Sequence, residues 1–173
     1  MRYILILITL LASSSFLSAK ERPPELKNVD YFDVNLGTGT WYEIARITHW
    51  FQKGLVCAQA EYNVLDNGKL SVINTARKGF GGKLDASRYK AKVSDKLTNT
   101  RLTVTYFWPF HADFDIIDLG KNYEYAVVGE PKRNYLWILA RTPRLEPEVY
   151  EGILERLKEQ CYDVEKIELT PQE

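Results

Sequence analysis

The sequence predicts an all-β domain, an eight-stranded up-and-down antiparallel β-barrel with one C-terminal α-helix packed outside it. Three observations predict it. Between residues 39 and 141 the chain runs as short segments of alternating apolar and polar residues broken by turn formers, the period of half-buried strands. Gly39-Thr40-Trp41 opens the first segment and Arg141 closes the last, so strand closure would lay a guanidinium on an indole and plug one end. Beyond Arg141 the apolar spacing changes from that of a strand to that of a helix.

The first expected strand covers residues 39–47. The second, 56–65, puts Ala58, Ala60, Tyr62 and Val64 on one face and Gln59, Glu61 and Asn63 on the other. Asp66-Asn67-Gly68-Lys69 is a hairpin turn, because Asn-Gly accepts the positive φ angles that such turns need. Residues 70–77 form the third strand, Gly79-Phe80-Gly81-Gly82 the next break, and residues 87–94 the fourth strand. In the fifth, 101–108, Leu102, Val104, Tyr106 and Trp108 share a face; residues 114–119, 123–129 and 135–141 complete the set. A closed barrel of this strand number encloses room for one small ligand. The helix, 147–160, starts with Pro147 and carries one apolar stripe of Val149, Ile153, Leu154 and Leu157, so it is scaffold against the outside of the barrel.

The N-terminus reads as a secretory signal peptide over residues 1–19. Met1-Arg2 supplies a positive start, residues 3–11 an apolar run too short to span a bilayer, and residues 13–19 a small-residue exit. Residues 20–173 then make one domain, long enough for a real core. Its charge is close to balanced, which excludes the basic face that nucleic acid requires. Export implies an oxidising compartment, in which Cys57 and Cys161 are expected to form a disulfide.

Two blocks carry a resemblance to a known family. Thr40-Trp41-Tyr42-Glu43-Ile44-Ala45-Arg46 and Tyr135-Leu136-Trp137-Ile138-Leu139-Ala140-Arg141-Thr142-Pro143 are similar to the first-strand and last-strand blocks of lipocalins, closest to the bacterial outer-membrane and apolipoprotein D-like members. The resemblance runs from about residue 29 to 169. It implies the barrel, structural roles for Trp41 and Arg141, and a disulfide at the positions of Cys57 and Cys161. The family's middle motif departs: Gly120 stands where an Asp is expected before Tyr123-Glu124-Tyr125. Bacterial members are often lipoproteins, acylated on a Cys right after the signal; here that position is Lys20, which leaves export but not the anchor.

Little in the chain points to catalysis. His49 and His111, the two histidines, both fall in expected loops without paired ligands at fixed spacing, which makes a poor metal or haem site, and no cofactor is expected. Nothing near either builds a Ser/His/Asp set, and paired cysteines would leave no thiolate nucleophile. Aromatic density stands out instead: Trp50, Phe51, Phe80, Phe107, Trp108, Phe110 and Phe114 fall in or beside loops at the expected open mouth, where they would close over an apolar ligand or touch a membrane surface.

The inward faces give a candidate ligand site of Glu43, Ala58, Ala60, Tyr62, Val104, Tyr106, Trp108, Phe110, Tyr135 and Trp137. Glu43 shares the face of Trp41, so its carboxylate must pair with a donor, take up a proton, or meet a ligand head group. The expected function is binding and carriage of a small hydrophobic ligand, a fatty acid or lysophospholipid, in the cell envelope or outside it, by a monomer or homodimer. A lipid-modifying or isomerase-type enzyme would be marked by a free reactive Cys57, and an envelope interaction module by a barrel filled with its own side chains.

Overall fold

The structure is a computed structural model that describes residues 23–107 and 109–172. The expected signal segment, Trp108 and the side chain of Phe107 lie outside the described residues. The strands are β1 (Gly39–Ile47), β2 (Leu55–Val64), β3 (Leu70–Lys78), β4 (Leu84–Val93), β5 (Arg101–Phe107), β6 (Phe110–Leu119), β7 (Tyr125–Gly129) and β8 (Leu136–Ala140). After helix α1 (Pro147–Glu159) and a short 3-10 turn comes β9 (Ile167–Leu169), which the sequence reading did not contain. All pairings are antiparallel, each strand from β1 to β7 pairs with the next, and β8 returns to β1 to close the barrel.

Local chemistry sets these elements. At the Asn67-Gly68 turn, Gly68 takes φ +73° and the Asn67 side chain accepts the Lys69 N–H at 3.1 Å. Strand β6 starts at Phe110, earlier than expected, because β5 and β6 form a tight hairpin in which Phe107 and Phe110 are partners. Helix α1 opens on Pro147, whose missing N–H costs nothing in a first turn.

The largest core lies outside the barrel. Ile153 and Leu157 of α1 are buried against Ile44, Ile117, Val127, Leu136 and Ile138, with Val149 and Leu154 partly buried beside them. Arg156 of α1 fixes the helix to the wall by donating to Asp118 at 2.8 Å and to the Tyr125 hydroxyl at 3.0 Å. The Tyr162 hydroxyl reaches β7, where it accepts the Glu130 N–H at 3.1 Å. A Cβ on Gly129 would lie 2.1 Å from that hydroxyl, so only glycine fits there.

One seam of the barrel is closed by the C-terminal segment. β1 pairs with β2 only over Gly39–Tyr42; farther along, Ala45–Ile47 pair with β9 instead. The chain then bridges to β2: Pro171 O accepts the Cys57 N–H at 2.7 Å, and the Gln172 amide donates to Glu43 O at 2.6 Å and Ala58 O at 3.1 Å.

This seam corrects the disulfide expectation, since Cys57 and Cys161 are both free thiols. Cys57 sits where β2 shifts register, with φ +51°, and its Sγ donates to Gln172 O at 3.3 Å. Cys161 is exposed just past α1, its N–H bound to Lys158 O at 2.9 Å. β9 carries the chain along β1 before it reaches β2, so residues 171–172, not Cys161, arrive at Cys57.

Candidate functional site

Strand connectivity gives the barrel two unlike ends. The end bearing Trp41 is crossed by the N-terminal segment, which hydrogen-bonds through Val29 N–H to Ile116 O at 3.0 Å and Phe32 N–H to Thr98 O at 2.8 Å. There the Arg141 guanidinium lies 3.8 Å from the Trp41 ring centroid. Its nitrogens donate to Thr40 O at 3.0 Å and Leu36 O at 2.6 Å, while the indole N–H donates to Gly37 O at 2.9 Å. Partial loss of water pulls the Arg141 pKa down from its ordinary value. Just inside, Trp41, Tyr62, Leu70, Leu102, Ile116 and Leu139, with Phe32 and Val34 of the crossing segment, surround an apolar cavity of about 40 Å³. That is room for the tip of a chain, not for a whole lipid.

Toward the other end the barrel carries an aromatic wall. Phe114 packs edge-on against Trp137 with centroids 5.3 Å apart, Trp137 stacks on Tyr135 at 5.9 Å, and Tyr135 stacks on His49 at 3.9 Å. Facing them, Tyr106 packs edge-on against Tyr89 at 5.3 Å. Val104, Tyr62, Tyr135 and Trp137 are half-buried and Tyr106 is 43% exposed, so these walls remain open to an occupant. Ala58 and Ala60 are buried in β2, Ala60 directly across from Trp41.

The lumen's polar groups are few. Loss of water around its hydroxyl pushes Tyr62 up to about 12, with Tyr106 and Glu43 adding to the shift. The same burial, with Tyr89 and Tyr135 nearby, takes Tyr106 to about 12. Both hydroxyls therefore stay protonated donors at physiological pH. Glu43 is buried and committed: Arg46 donates to its Oε1, and so does the Thr170 hydroxyl at 2.7 Å. Arg46 is satisfied further by Gln52 O and Leu55 O, each at 3.0 Å.

The sequence-selected residues separate into groups. Tyr62, Val104, Tyr106, Tyr135 and Trp137 share the lumen. Phe114, expected at the mouth, is buried within β6 as part of the wall, because β6 extends past it to Phe110. Phe110 lies on the rim, 60% exposed. Sequence reasoning missed Phe32 and Val34, which sit in a segment without periodicity. It also missed Arg46, which a register shift between Glu43 and Ala45 turns inward opposite Trp137.

His49 Nε2 is 2.9 Å from Asn134 O and His111 Nδ1 3.1 Å from Pro109 O, so each imidazole is engaged by a carbonyl rather than by a nucleophile. Among the described residues no three His, Cys, Asp or Glu side chains converge on a metal position.

Residues 32–172 match the family described as the lipocalin-like domain. The outer membrane lipoprotein Blc of Escherichia coli (strain K12) is 37% identical over 159 residues, covering 90% of this chain and 90% of its own. Apolipoprotein D of Bos taurus is 33% identical over 158 residues, covering 87% of this chain and 80% of its own. Among solved structures, insecticyanin from the tobacco hornworm Manduca sexta superposes with a TM-score of 0.69 at 22% identity, over 86% of this chain and 85% of that one.

Proposed function

Because this chain belongs to the lipocalin family, whose members bind small hydrophobic ligands, we propose that it carries one fatty acid or lysophospholipid through an aqueous space outside the cytoplasm. The observation that carries this reading is the aromatic wall running from His49 and Tyr135 at the mouth through Trp137 to Phe114 inside. An acyl chain laid along it leaves water at about 0.8 kcal/mol per methylene, so a dozen methylenes give a gross gain near 10 kcal/mol, from which the costs of association are drawn. The methyl end points toward the small cavity above Trp41, and the head group stays near the mouth. The neutral hydroxyls of Tyr62 and Tyr106 supply donors to an ester or carboxyl oxygen without placing charge inside the barrel.

The free thiol of Cys57, which would mark an enzyme, donates to a carbonyl, and both imidazoles are held by other carbonyls, so the reading is one of binding. Export through residues 1–19 fits relatives named as outer membrane lipoproteins, although Lys20 offers no thiol for a lipid anchor. Mass spectrometry of lipid extracted from the purified exported protein tests the proposal. It predicts one fatty acid or lysophospholipid per chain; a lipid-free protein that also shows no saturable uptake of a fluorescent fatty acid would overturn it.

A further inference from the structure

The mouth of the barrel exposes more apolar surface than a solvated rim needs. Trp50 is 88% exposed and Phe51 51% on the β1–β2 loop, Phe80 is 55% exposed on the β3–β4 loop, and Phe110 60% at the start of β6. The first two loops are tied together at their bases, where the Gly79 N–H donates to Gly54 O at 3.0 Å. Trp50 and Phe51 further brace each other edge-on at 5.7 Å, and Phe51 stacks with His49 at the same distance. Three exposed cations, Lys53, Lys78 and Lys83, stand among these aromatics.

The exposed acids at this end are fewer. Asp85 follows Lys83, and Glu168 accepts the Thr48 hydroxyl at 2.8 Å at the base of the β1–β2 loop. Glu130 is buried with its carboxylate turned onto its own loop, accepting the N–H groups of Lys132 at 2.8 Å and Asn134 at 2.6 Å. The chain as a whole is neutral, so the positive excess at the mouth is matched by acids elsewhere, among them Glu148, Glu151 and Glu155 on α1 at the flank.

We propose that the mouth docks on an anionic phospholipid bilayer, with Trp50, Phe51 and Phe80 in the interfacial layer and Lys53, Lys78 and Lys83 at the level of the phosphates. Indole and phenyl side chains ringed by lysine stems suit that layer, where one end of each group is apolar and the other wet. The charge pattern selects the occupant. A second copy docked mouth to mouth about a two-fold axis would set three lysines against three lysines, whereas an anionic surface attracts all of them. The aromatics also sit on separate loops around an opening, a shape that fits a fluid surface better than a rigid partner. Docking needs no cargo and so goes beyond the carrier reading, to which it adds a route: the lumen would open directly onto the membrane.

Co-flotation of the full chain with vesicles tests this, comparing phosphatidylcholine alone with phosphatidylcholine containing phosphatidylglycerol. The protein should float with the phosphatidylglycerol vesicles at low salt and less as salt is raised. Trp50→Ser with Phe80→Ser should reduce partitioning at least tenfold. Lys53→Gln with Lys83→Gln should reduce it roughly twenty-five-fold and weaken the preference for phosphatidylglycerol, about fivefold per cation lost. Thermal unfolding of each variant confirms the fold, and quenching of wild-type fluorescence by brominated lipid, diminished in Trp50→Phe, reports insertion without relying on the serine pair. Wild-type protein that stays off phosphatidylglycerol vesicles at low salt, or a serine pair that floats as well as wild type, would overturn the proposal. So would a wild-type dimer, free of vesicles, that the serine pair converts to monomer. A separate fatty-acid titration without vesicles distinguishes failure here from failure of the carrier reading.

Discussion

Glu43 and Arg46, three residues apart on one strand, form a buried ion pair on the inner side of the barrel wall. Regular alternation would point them to opposite faces; the register shift between Glu43 and Ala45 brings them together. Thr170 joins them from the C-terminal segment, so the pair also holds the seam between β1 and β2. Removing one partner leaves a buried charge exposed to little water. Glu43→Ala or Arg46→Ala should therefore lower unfolding free energy by about 3 to 5 kcal/mol, while Glu43→Gln combined with Arg46→Met should recover much of the loss. Urea unfolding of the three variants checks this, and additive losses in the double variant would contradict it.

At the opposite end of the same strand, Arg141 stacks on Trp41 and binds two backbone carbonyls. Arg141→Ala should cost about 1 to 3 kcal/mol, and Arg141→Lys should restore only part, because an ammonium keeps the charge but loses the planar stack and the fork of donors. Fatty-acid affinity should persist in both variants at temperatures where they are folded. A variant with wild-type melting but no lipid binding would make Arg141 a ligand contact.

These two pairs show what the sequence made legible. Trp41 and Arg141 stand at strand ends that must meet if the barrel closes, so their spacing, together with the lipocalin resemblance of both blocks, located their contact. Glu43 was recognisable as an inward carboxylate needing a donor, but its partners were not: a one-residue register shift leaves no mark in alternation, and Thr170 directly follows a strand of three residues, Ile167–Leu169, too short to show a period. The strands and α1 were readable because their periodicity is strong. The crossing segment with Phe32 and the C-terminal bridge to Cys57 were not, because both are fixed by contacts with distant strands rather than by local pattern.

The cysteines should behave as two separate thiols. Without denaturant or reductant, a thiol reagent should label Cys161 quickly and the half-buried Cys57 slowly, both counted by mass spectrometry. Cys161→Ser should change stability by no more than about 0.5 kcal/mol, as at other exposed sites. A native protein that yields no labelled thiol until reduced would contradict the free-thiol geometry.

Alkali should unfold the protein through its buried tyrosines. Burial pushes Tyr62 and Tyr162 up to about 12, above their ordinary value of 10.0, so the folded state holds these protons more tightly than the unfolded chain. Stabilisation from them is then complete below pH 10 and lost as pH rises toward 12. Melting temperature should be flat between neutral pH and pH 9 and fall beyond pH 10, with part of the tyrosinate absorbance appearing only as the barrel opens. Full ionisation of all tyrosines near pH 10 with the fold intact would contradict the burial.

The lumen itself is tested most directly at Val104, whose strand neighbours Ala91 and Ala112 are both small, leaving space for a larger side chain. Titration of wild type and Val104→Trp with a fluorescent fatty acid is the decisive measurement. One saturable site of micromolar affinity or better in wild type, weakened at least tenfold in a folded Val104→Trp, is the result expected of a chain that holds its cargo inside the barrel. Undiminished affinity with the new indole shown to lie within the lumen, or no saturable binding by wild type, would contradict it.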